Sequence, residues 1–199
     1  RFSPIDINEK IKLRESFGIS KDTFVVLYTA QFIPRKNHTM LINAVPELLK
    51  CIPDLKVIFA GSGYLFNECK ELTLKLGIEK YFLFLGERSD INTLCRIADI
   101  HVATSKLEGQ GINNIEAMAC GCPLVVSRVR GHKDVCKDKK NGFLFDLDKP
   151  QDMIKEIISL YKDKDLYNKI SNYNKIDAEK FSVKKEVAAM AKIYNEVLS

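Results

Sequence analysis

The sequence lacks any run of about 18 uncharged apolar residues, the length that a membrane-spanning helix requires. Its beginning, Arg1 to Pro4, also lacks the charged-then-apolar layout of a secretion signal. With 199 residues, 46% of them hydrophobic, the chain can still bury a core of ordinary domain size. We therefore expect a soluble, cytoplasmic protein of one domain.

Paired cysteine motifs are missing as well. The six cysteines are scattered, with no Cys-x-x-Cys pair and no histidine at zinc-finger spacing. Several of them lie inside apolar helix or strand patterns. This distribution predicts reduced thiols, as in cytosolic proteins, rather than a disulfide framework.

A strong excess of charge is also absent, since 31 basic and 26 acidic residues give a net charge of +5. The densest basic cluster is mixed with Asp134 and Asp138, which favours a solvated loop. A peripheral contact with the inner face of the plasma membrane is the alternative, because each Lys or Arg near anionic lipid gains about 1 kcal/mol. No aromatic residues are interleaved for base stacking, so nucleic-acid binding is not indicated. The cluster consists of Lys133, Lys137, Lys139 and Lys140.

Short apolar runs alternate with longer helical patterns from Phe24 onward, which is typical of repeated βα units. The runs are continuously hydrophobic, as in parallel strands that are covered on both faces. We predict an α/β domain with a Rossmann-like, doubly wound parallel sheet of about six strands. The predicted strands are Phe24 to Thr29, Leu55 to Ala60, Tyr81 to Leu85, Asp99 to Thr104, Pro123 to Ser127 and Gly142 to Asp146.

Helical periodicity fills the intervals between these runs and continues after Pro150. Gly18 is suited to end the first helix, and Ser89 and Asp90 are suited to cap another. The three amphipathic helices after Pro150 would pack on the sheet or reach another domain. The predicted helices are Asn8 to Phe17, Thr39 to Cys51, Tyr64 to Leu76, Ser89 to Ala98, Ile112 to Cys120, His132 to Cys136, Gln151 to Lys162, Leu166 to Lys180 and Val183 to Leu198.

The loops after the strands hold the candidate site residues, because ligands of parallel sheets bind beyond the carboxyl ends of the strands. The first loop carries Arg35 and Lys36, two cations suited to a diphosphate or, alternatively, a solvated pair. The second is Gly61-Ser62-Gly63, which resembles the start of a dinucleotide fingerprint but has Phe66 in place of the third glycine. A tight turn explains it equally well. The third, ending in Arg88, suits a base or ribose, or a surface turn.

The segment from Ser105 to Pro123 carries the strongest signal. A helix begins near Ile112 after a loop with Gly109 and Gly111, so its free backbone N–H groups would form an anion site open to a diphosphate. Gly121 is suited to end this helix.

Two glutamates, Glu108 and Glu116, stand before and within this helix. Carboxylates at such a site can accept hydrogen bonds from vicinal sugar hydroxyls. Each glutamate alone would be explained by helix propensity or the helix dipole, whereas the whole segment favours binding.

With seven residues between its glutamates and Ala-Met-Ala-x-Gly-x-Pro after them, this segment resembles the donor-binding motif of the retaining GT-B-fold glycosyltransferases, glycosyl transferases group 1. The resemblance extends from Ala30 through the Asn-Gly-Phe-Leu turn at Asn141 to the last helix. Arg128 to Val135 is most similar to enzymes of capsular and exopolysaccharide synthesis. The resemblance implies that residues 1–199 are one C-terminal nucleotide-sugar-binding domain, half of a GT-B fold, without the N-terminal acceptor domain.

The resemblance also implies a role for each matching residue. Lys36 would neutralise the leaving diphosphate, Glu108 would lie beside the transferred sugar, and Glu116 would bind the ribose hydroxyls. Gln31 stands where the family often has arginine, a charge that Arg35 would have to supply. The remaining implied donor-binding residues are Gly61, Gly63, Arg88, Gly109, Gln110, Gly111 and Ile112.

The implied activity is transfer of a hexose or N-acetylhexosamine from a nucleotide-diphosphate donor, UDP-linked by preference, to a polysaccharide or lipid-linked glycan with retention. Neither a metal nor a cofactor is implied, because Lys36 and the helix start can replace a cation. Without the acceptor domain, the chain should bind donor but not transfer sugar. The alternatives are a sugar-nucleotide epimerase, a non-catalytic binding module and, last, a nicotinamide dehydrogenase.

Overall fold

In a computed structural model, the chain is described over residues 2–198, and in its last helix the side chains are described at 185, 187 and 190–196. Residues 1 and 199 of the predicted domain lie outside this range. Within it, six strands form one sheet. They are β1 (Phe24–Thr29), β2 (Leu55–Ala60), β3 (Phe82–Phe84), β4 (Ile100–Ala103), β5 (Leu124–Ser127) and β6 (Gly142–Phe145).

The strands are ordered β3-β2-β1-β4-β5-β6, and each neighbouring pair is parallel. This order is that of a Rossmann-like, doubly wound sheet, so the predicted fold class is confirmed. All residues of β1 are buried, because this strand lies inside the sheet and is covered on both faces. Register is fixed by long pairing with β2, from Phe24 opposite Leu55 to Thr29 opposite Ala60.

Helices cover the sheet in two groups, with α2, α3 and α7 side by side in one and α1, α4 and α5 in the other. The last helix begins after a 3-10 turn, Ala178–Phe181. Among the described helices, none is both long enough and apolar enough to cross a membrane. The helices are α1 (Ile7–Ser16), α2 (His38–Leu49), α3 (Phe66–Lys75), α4 (Ile91–Ile97), α5 (Ile112–Ala119), α6 (Arg130–Val135), α7 (Pro150–Lys162), α8 (Lys164–Asp177) and α9 (Val183–Leu198).

Local side-chain hydrogen bonds account for two differences between the predicted and the observed helix starts. Helix α8 begins before the predicted Leu166 because the Asp163 carboxylate accepts a hydrogen bond from the Leu166 N–H at 2.9 Å. The predicted capping hydrogen bond from the Asp90 side chain is not formed. Asp90 occupies the N-cap position of α4, but its carboxylate accepts from Arg88 instead of capping the helix.

One buried ion pair joins α1 to the amino ends of two strands. The Arg14 guanidinium donates to the Ile97 carbonyl at 2.8 Å and to the Asp99 carboxylate at 2.7 Å. Asp99 also accepts from the Lys10 ammonium at 2.8 Å and from the Val25 N–H at 2.7 Å. A single carboxylate therefore fixes the first helix, β1 and the start of β4.

Replacing Asp99 with asparagine is expected to lower the free energy of unfolding by about 2 kcal/mol, because hydrogen bonds to charged groups contribute roughly that much. The asparagine keeps the size of the side chain but removes the charge that faces Arg14 and Lys10. Urea denaturation of the variant and of a surface control, Asp22→Asn, measures the effect. Equal stability of the two variants would contradict this role.

Candidate functional site

The sheet order creates a crevice between β1 and β4. The chain moves outward through β2 and β3, returns to β4 beside β1, and then moves in the opposite direction. The loops that follow β1 and β4 consequently diverge, and this is where ligands of such sheets bind. The first loop contains Lys36 and the second contains Glu108.

A cleft of about 280 Å³ occupies this position. Seven of the predicted site residues line it, together with two residues that the sequence did not single out, Thr29 and Asn113. The Asn113 side-chain amide donates to the Thr29 carbonyl at 2.9 Å and so ties the start of α5 to the end of β1. The predicted residues that line the cleft are Gln31, Arg35, Lys36, Glu108, Gln110, Gly111 and Ile112.

Lys36 and Glu108 form an ion pair across the cleft, and both side chains are about nine-tenths buried. The Ser105 hydroxyl donates a further hydrogen bond to the same Glu108 carboxylate oxygen at 3.2 Å. Burial alone would raise the pKa of Glu108, but the hydrogen bond and the charge of Lys36 outweigh it and lower the pKa below its usual value. Glu108 is therefore ionised at neutral pH, and the pair carries no net charge.

The backbone of Lys36 is held by two buried hydroxyls. The Tyr28 hydroxyl donates to the Lys36 carbonyl at 2.6 Å, and the Thr104 hydroxyl donates to the Asn37 carbonyl at 2.7 Å. Burial raises the pKa of Tyr28 to about 12, so its hydroxyl remains a donor at neutral pH. These bonds fix a 3-10 turn, Pro34–Lys36, that the sequence analysis did not predict, and they fix the direction in which Lys36 leaves the backbone.

The loop that carries Glu108 leads directly into α5. Gly111 is the N-cap of this helix with a φ of 63°, a conformation that favours glycine. Since glycine offers no side chain, no side-chain hydrogen bond caps the start of α5, and Gly111, Ile112 and Asn113 line the cleft. A helix start without a capping side chain is the kind of place where anions bind, and the binding of a diphosphate here stays a prediction.

Gly131 of α6 packs closely against the same loop. A Cβ atom at Gly131 would lie 2.4 Å from the Gly109 carbonyl oxygen, and the Gly131 N–H donates to the Glu108 carbonyl at 3.3 Å. The backbone at Gly109 thus contacts α6, which supports the loop.

Gly61 and Gly63 serve a backbone contact rather than the lining of the cleft. A Cβ atom would lie 2.0 Å from the Ala30 carbonyl oxygen at Gly61 and 2.5 Å from that of Phe32 at Gly63. The Phe32 N–H donates to the Ser62 carbonyl at 2.8 Å. This geometry favours the tight-turn interpretation, in which the glycines let the loops after β1 and β2 pack together.

Arg88 and Glu116 lie outside the 280 Å³ cleft. Arg88 is bound to Asp90 through two hydrogen bonds of 2.7 and 2.6 Å, and this pairing lowers the pKa of Asp90. Glu116 lies one turn further along α5 than Ile112 and lines a second cavity of about 570 Å³ with Phe2 and Phe181. Their contacts with a nucleotide stay predictions.

The described residues contain no obvious metal centre, since within 2–198 no three His, Cys, Asp or Glu side chains are grouped to hold an ion. The six cysteines are free thiols, each buried or half-buried. Burial raises the pKa of Cys122 to about 12, which makes this thiol unreactive at neutral pH.

Fold and cleft together define a class, a Rossmann-like domain with its candidate ligand site where the sheet order reverses. The family model described as glycosyl transferases group 1 matches residues 9–177. The chain therefore belongs to the glycosyl transferases group 1 family, which confirms the resemblance stated from the sequence and favours a transferase over an epimerase or a dehydrogenase.

Curated relatives agree with this assignment. The glycosyltransferase EpsD of Bacillus subtilis (strain 168) is 35% identical over 98% of this chain and 51% of its own length. The Escherichia coli enzyme named UDP-Gal:alpha-D-GlcNAc-diphosphoundecaprenol alpha-1,3-galactosyltransferase is 26% identical over 97% of this chain and 49% of its own length. The chain thus spans about half the length of these relatives.

A solved structure with bound ligands shows the same fold. Anabaena Alr3699/HepE, crystallised in complex with UDP and glucose, matches with a TM-score of 0.86 and 26% identity. The match covers 97% of this chain and 55% of the Anabaena chain.

Proposed function

We propose that this chain is the donor-binding domain of a glycosyltransferase that moves a hexose or N-acetylhexosamine from a UDP-linked donor, with retention, to a polysaccharide or lipid-linked glycan. The observation that carries the proposal is the buried Lys36–Glu108 pair beside the open start of α5, at the point where the sheet order reverses. The UDP and glucose in the Anabaena structure and the UDP-Gal in the Escherichia coli enzyme's name support the choice of donor.

The chemistry follows from what each group offers. As the bond between sugar and diphosphate breaks, negative charge grows on the departing diphosphate. The Lys36 ammonium and the N–H groups at the start of α5 stand beside the place where this charge develops, and positive groups directed at such a charge lower the barrier. Donor binding turns Lys36 from Glu108 to the phosphates and leaves the carboxylate to accept a hydrogen bond from a sugar hydroxyl.

Glu116 extends the proposed site along α5. It stands four positions after Ile112, and residues at this spacing are neighbours on one helix face. A diphosphate at the helix start would therefore place the ribose near Glu116. The base would then lie toward the loop at Gly86, which follows β3.

We assign acceptor binding to the part of the relatives that this chain does not match. That part is about half of their length. Helix α9 is suited to contact a further domain. Val187, Met190 and Tyr194 are each more than half exposed and recur at helical spacing.

Calorimetric titration of the 199-residue chain with UDP, GDP and ADP tests the proposal. We expect UDP to bind, and Glu116→Ala to weaken its binding about tenfold, the effect of losing one hydrogen bond to a charged group. Glu179→Ala is the matched control, because Glu179 lines the same second cavity as Glu116 but belongs to the turn after α8.

Two results would contradict the proposal. Absence of binding by any nucleotide to folded protein would remove the donor site. Equal affinities of the Glu116 and Glu179 variants for UDP would remove the ribose contact from Glu116.

A further inference from the structure

A group of buried polar side chains lies beneath the loop that carries Glu108. His132 on α6, Ser127 at the end of β5 and Ser105 after β4 are each almost fully buried. No role for them follows from the sequence, and the proposed mechanism does not use them. Polar groups in a core lower stability unless they are hydrogen-bonded, so their pairing needs a physical account.

The direction of the hydrogen bonds in this group is fixed by carbonyl oxygens, which can only accept. The Ser127 hydroxyl lies 2.5 Å from the Ser105 carbonyl and must donate to it. His132 Nδ1 lies 2.9 Å from the Ser127 carbonyl and must also donate. His132 Nδ1 also lies 3.1 Å from the Ser127 hydroxyl oxygen, which accepts a hydrogen bond from the same N–H. A one-way chain therefore runs from His132 through Ser127 to Ser105.

This chain of hydrogen bonds settles the tautomer of His132. The proton is on Nδ1, and Nε2 carries a lone pair without a hydrogen-bond partner among the described residues. Burial lowers the pKa of His132, which keeps the imidazole neutral at pH 7. An apolar side chain of similar size would fill the same space but could not hold the Ser127 hydroxyl.

The chain of hydrogen bonds ends at Ser105, the residue that contacts the Glu108 carboxylate. The Ser105 carbonyl is fixed by Ser127, and the Ser105 hydroxyl donates to the Glu108 carboxylate at 3.2 Å. The residue before His132 contacts the backbone of Glu108 directly, since the Gly131 N–H donates to the Glu108 carbonyl at 3.3 Å. Two consecutive residues of α6 thus hold the loop on both sides of the Glu108 side chain.

We propose that His132 is a positioning residue for donor recognition, acting through Ser127 and Ser105 to hold the Glu108 carboxylate where the transferred sugar binds. This inference rests on the proposed function, because it assumes that Glu108 receives a sugar hydroxyl. It goes further by assigning recognition of the sugar, as distinct from the nucleotide, to a side chain outside the cleft.

The test compares UDP with UDP-glucose on the 199-residue chain. His132→Leu is expected to weaken UDP-glucose binding about tenfold and UDP binding less than about twofold, because only the sugar reaches Glu108. His132→Asn, whose amide can donate in place of Nδ1–H, should restore UDP-glucose affinity to within about threefold of the unaltered protein. Thermal unfolding of each variant separates this pattern from a general loss of structure.

Ser127→Ala keeps the test decisive if His132→Leu fails to fold. It should weaken UDP-glucose binding as His132→Leu does, and the double variant should be no weaker than either single one, since both break one chain of hydrogen bonds. Equal weakening of UDP and UDP-glucose, or no rescue by asparagine in a folded protein, would overturn the proposal.

A measurement without ligand distinguishes this proposal from the proposed function. NMR titration of the Glu108 carboxyl should give a higher pKa in Ser127→Ala and His132→Leu than in the unaltered protein, because the Ser105 hydroxyl would no longer be aligned to donate. An unchanged Glu108 pKa in both variants would refute the positioning role whether or not a nucleotide binds. If the unaltered protein binds no nucleotide, the proposed function fails instead.

Discussion

Replacing Lys36 with alanine is expected to weaken UDP binding by about 10- to 100-fold, the largest effect on binding that we predict. The substitution removes the cation that would contact the diphosphate. It also leaves the Glu108 carboxylate buried without its ion-pair partner, so that the cleft acquires a negative charge that repels the ligand. Calorimetry with UDP measures the loss.

Lys50→Ala provides the control for Lys36→Ala. Lys50 also pairs with a glutamate, Glu47, but both side chains are largely exposed, and such pairs contribute little. We expect this variant to bind UDP like the unaltered protein. If Lys36→Ala did the same, the assignment of the diphosphate to this lysine would be wrong.

The ion pair also gives the stability of the fold a pH dependence with a definite sign. The pKa of Glu108 is lowered in the folded state, so the stabilisation is present above the pKa of the unfolded chain and is lost as the pH falls through the folded value. In Lys36→Ala, the loss of folding stability at acid pH should be smaller. The ammonium group whose hydrogen bond and charge lower the Glu108 pKa would be gone. Urea denaturation of both proteins across the acid range provides the comparison.

Replacing Gly61 with alanine is expected to lower the free energy of unfolding by about 4 kcal/mol, from backbone strain and overpacking together. Gly61 has a φ of 149°, and an added Cβ would lie 2.0 Å from the Ala30 carbonyl oxygen. The loops after β1 and β2 would have to separate, although both are fixed by strands in the middle of the sheet. The midpoint of urea denaturation, at an unchanged slope, measures the loss.

Gly77→Ala separates strain from overpacking. Gly77 also has a positive φ, 66°, but a Cβ atom there would meet nothing within 4 Å. We expect this variant to lose only about 1 kcal/mol, the usual cost of a left-handed residue other than glycine. Similar losses in the two variants would show that the contact with Ala30 does not limit stability.

The fold could be predicted from the sequence because its strands carry a local signal. A strand covered on both faces must be apolar throughout, and runs such as Phe24–Thr29 contain few other residues. The weaker predictions were at boundaries that depend on contacts remote in sequence. The third strand is shortened to Phe82–Phe84 because Tyr81 belongs to a preceding 3-10 turn, Glu79–Tyr81.

The candidate site was predictable in its charged residues and not in its supports. Lys36 and Glu108 stand in loops after strands, and that position was visible in the sequence although 72 positions separate them. The hydrogen bonds that hold them come from buried hydroxyls of Tyr28, Thr104 and Ser127. In the sequence, these residues are indistinguishable from other polar residues of strands, because only the packed structure shows which carbonyl each hydroxyl reaches.

The ion pair in the cleft also sets a condition on what can enter. A ligand that separates Lys36 from Glu108 must give each a new partner, since an uncompensated buried charge is costly. Free phosphate would pair with the Lys36 ammonium but leave the Glu108 carboxylate without a partner. A neutral sugar would offer hydroxyls to the carboxylate but no negative charge to the ammonium. Only a molecule that carries both a phosphate and a sugar satisfies both groups, so the pair should favour the intact donor over UDP or a free sugar, without preventing UDP from binding.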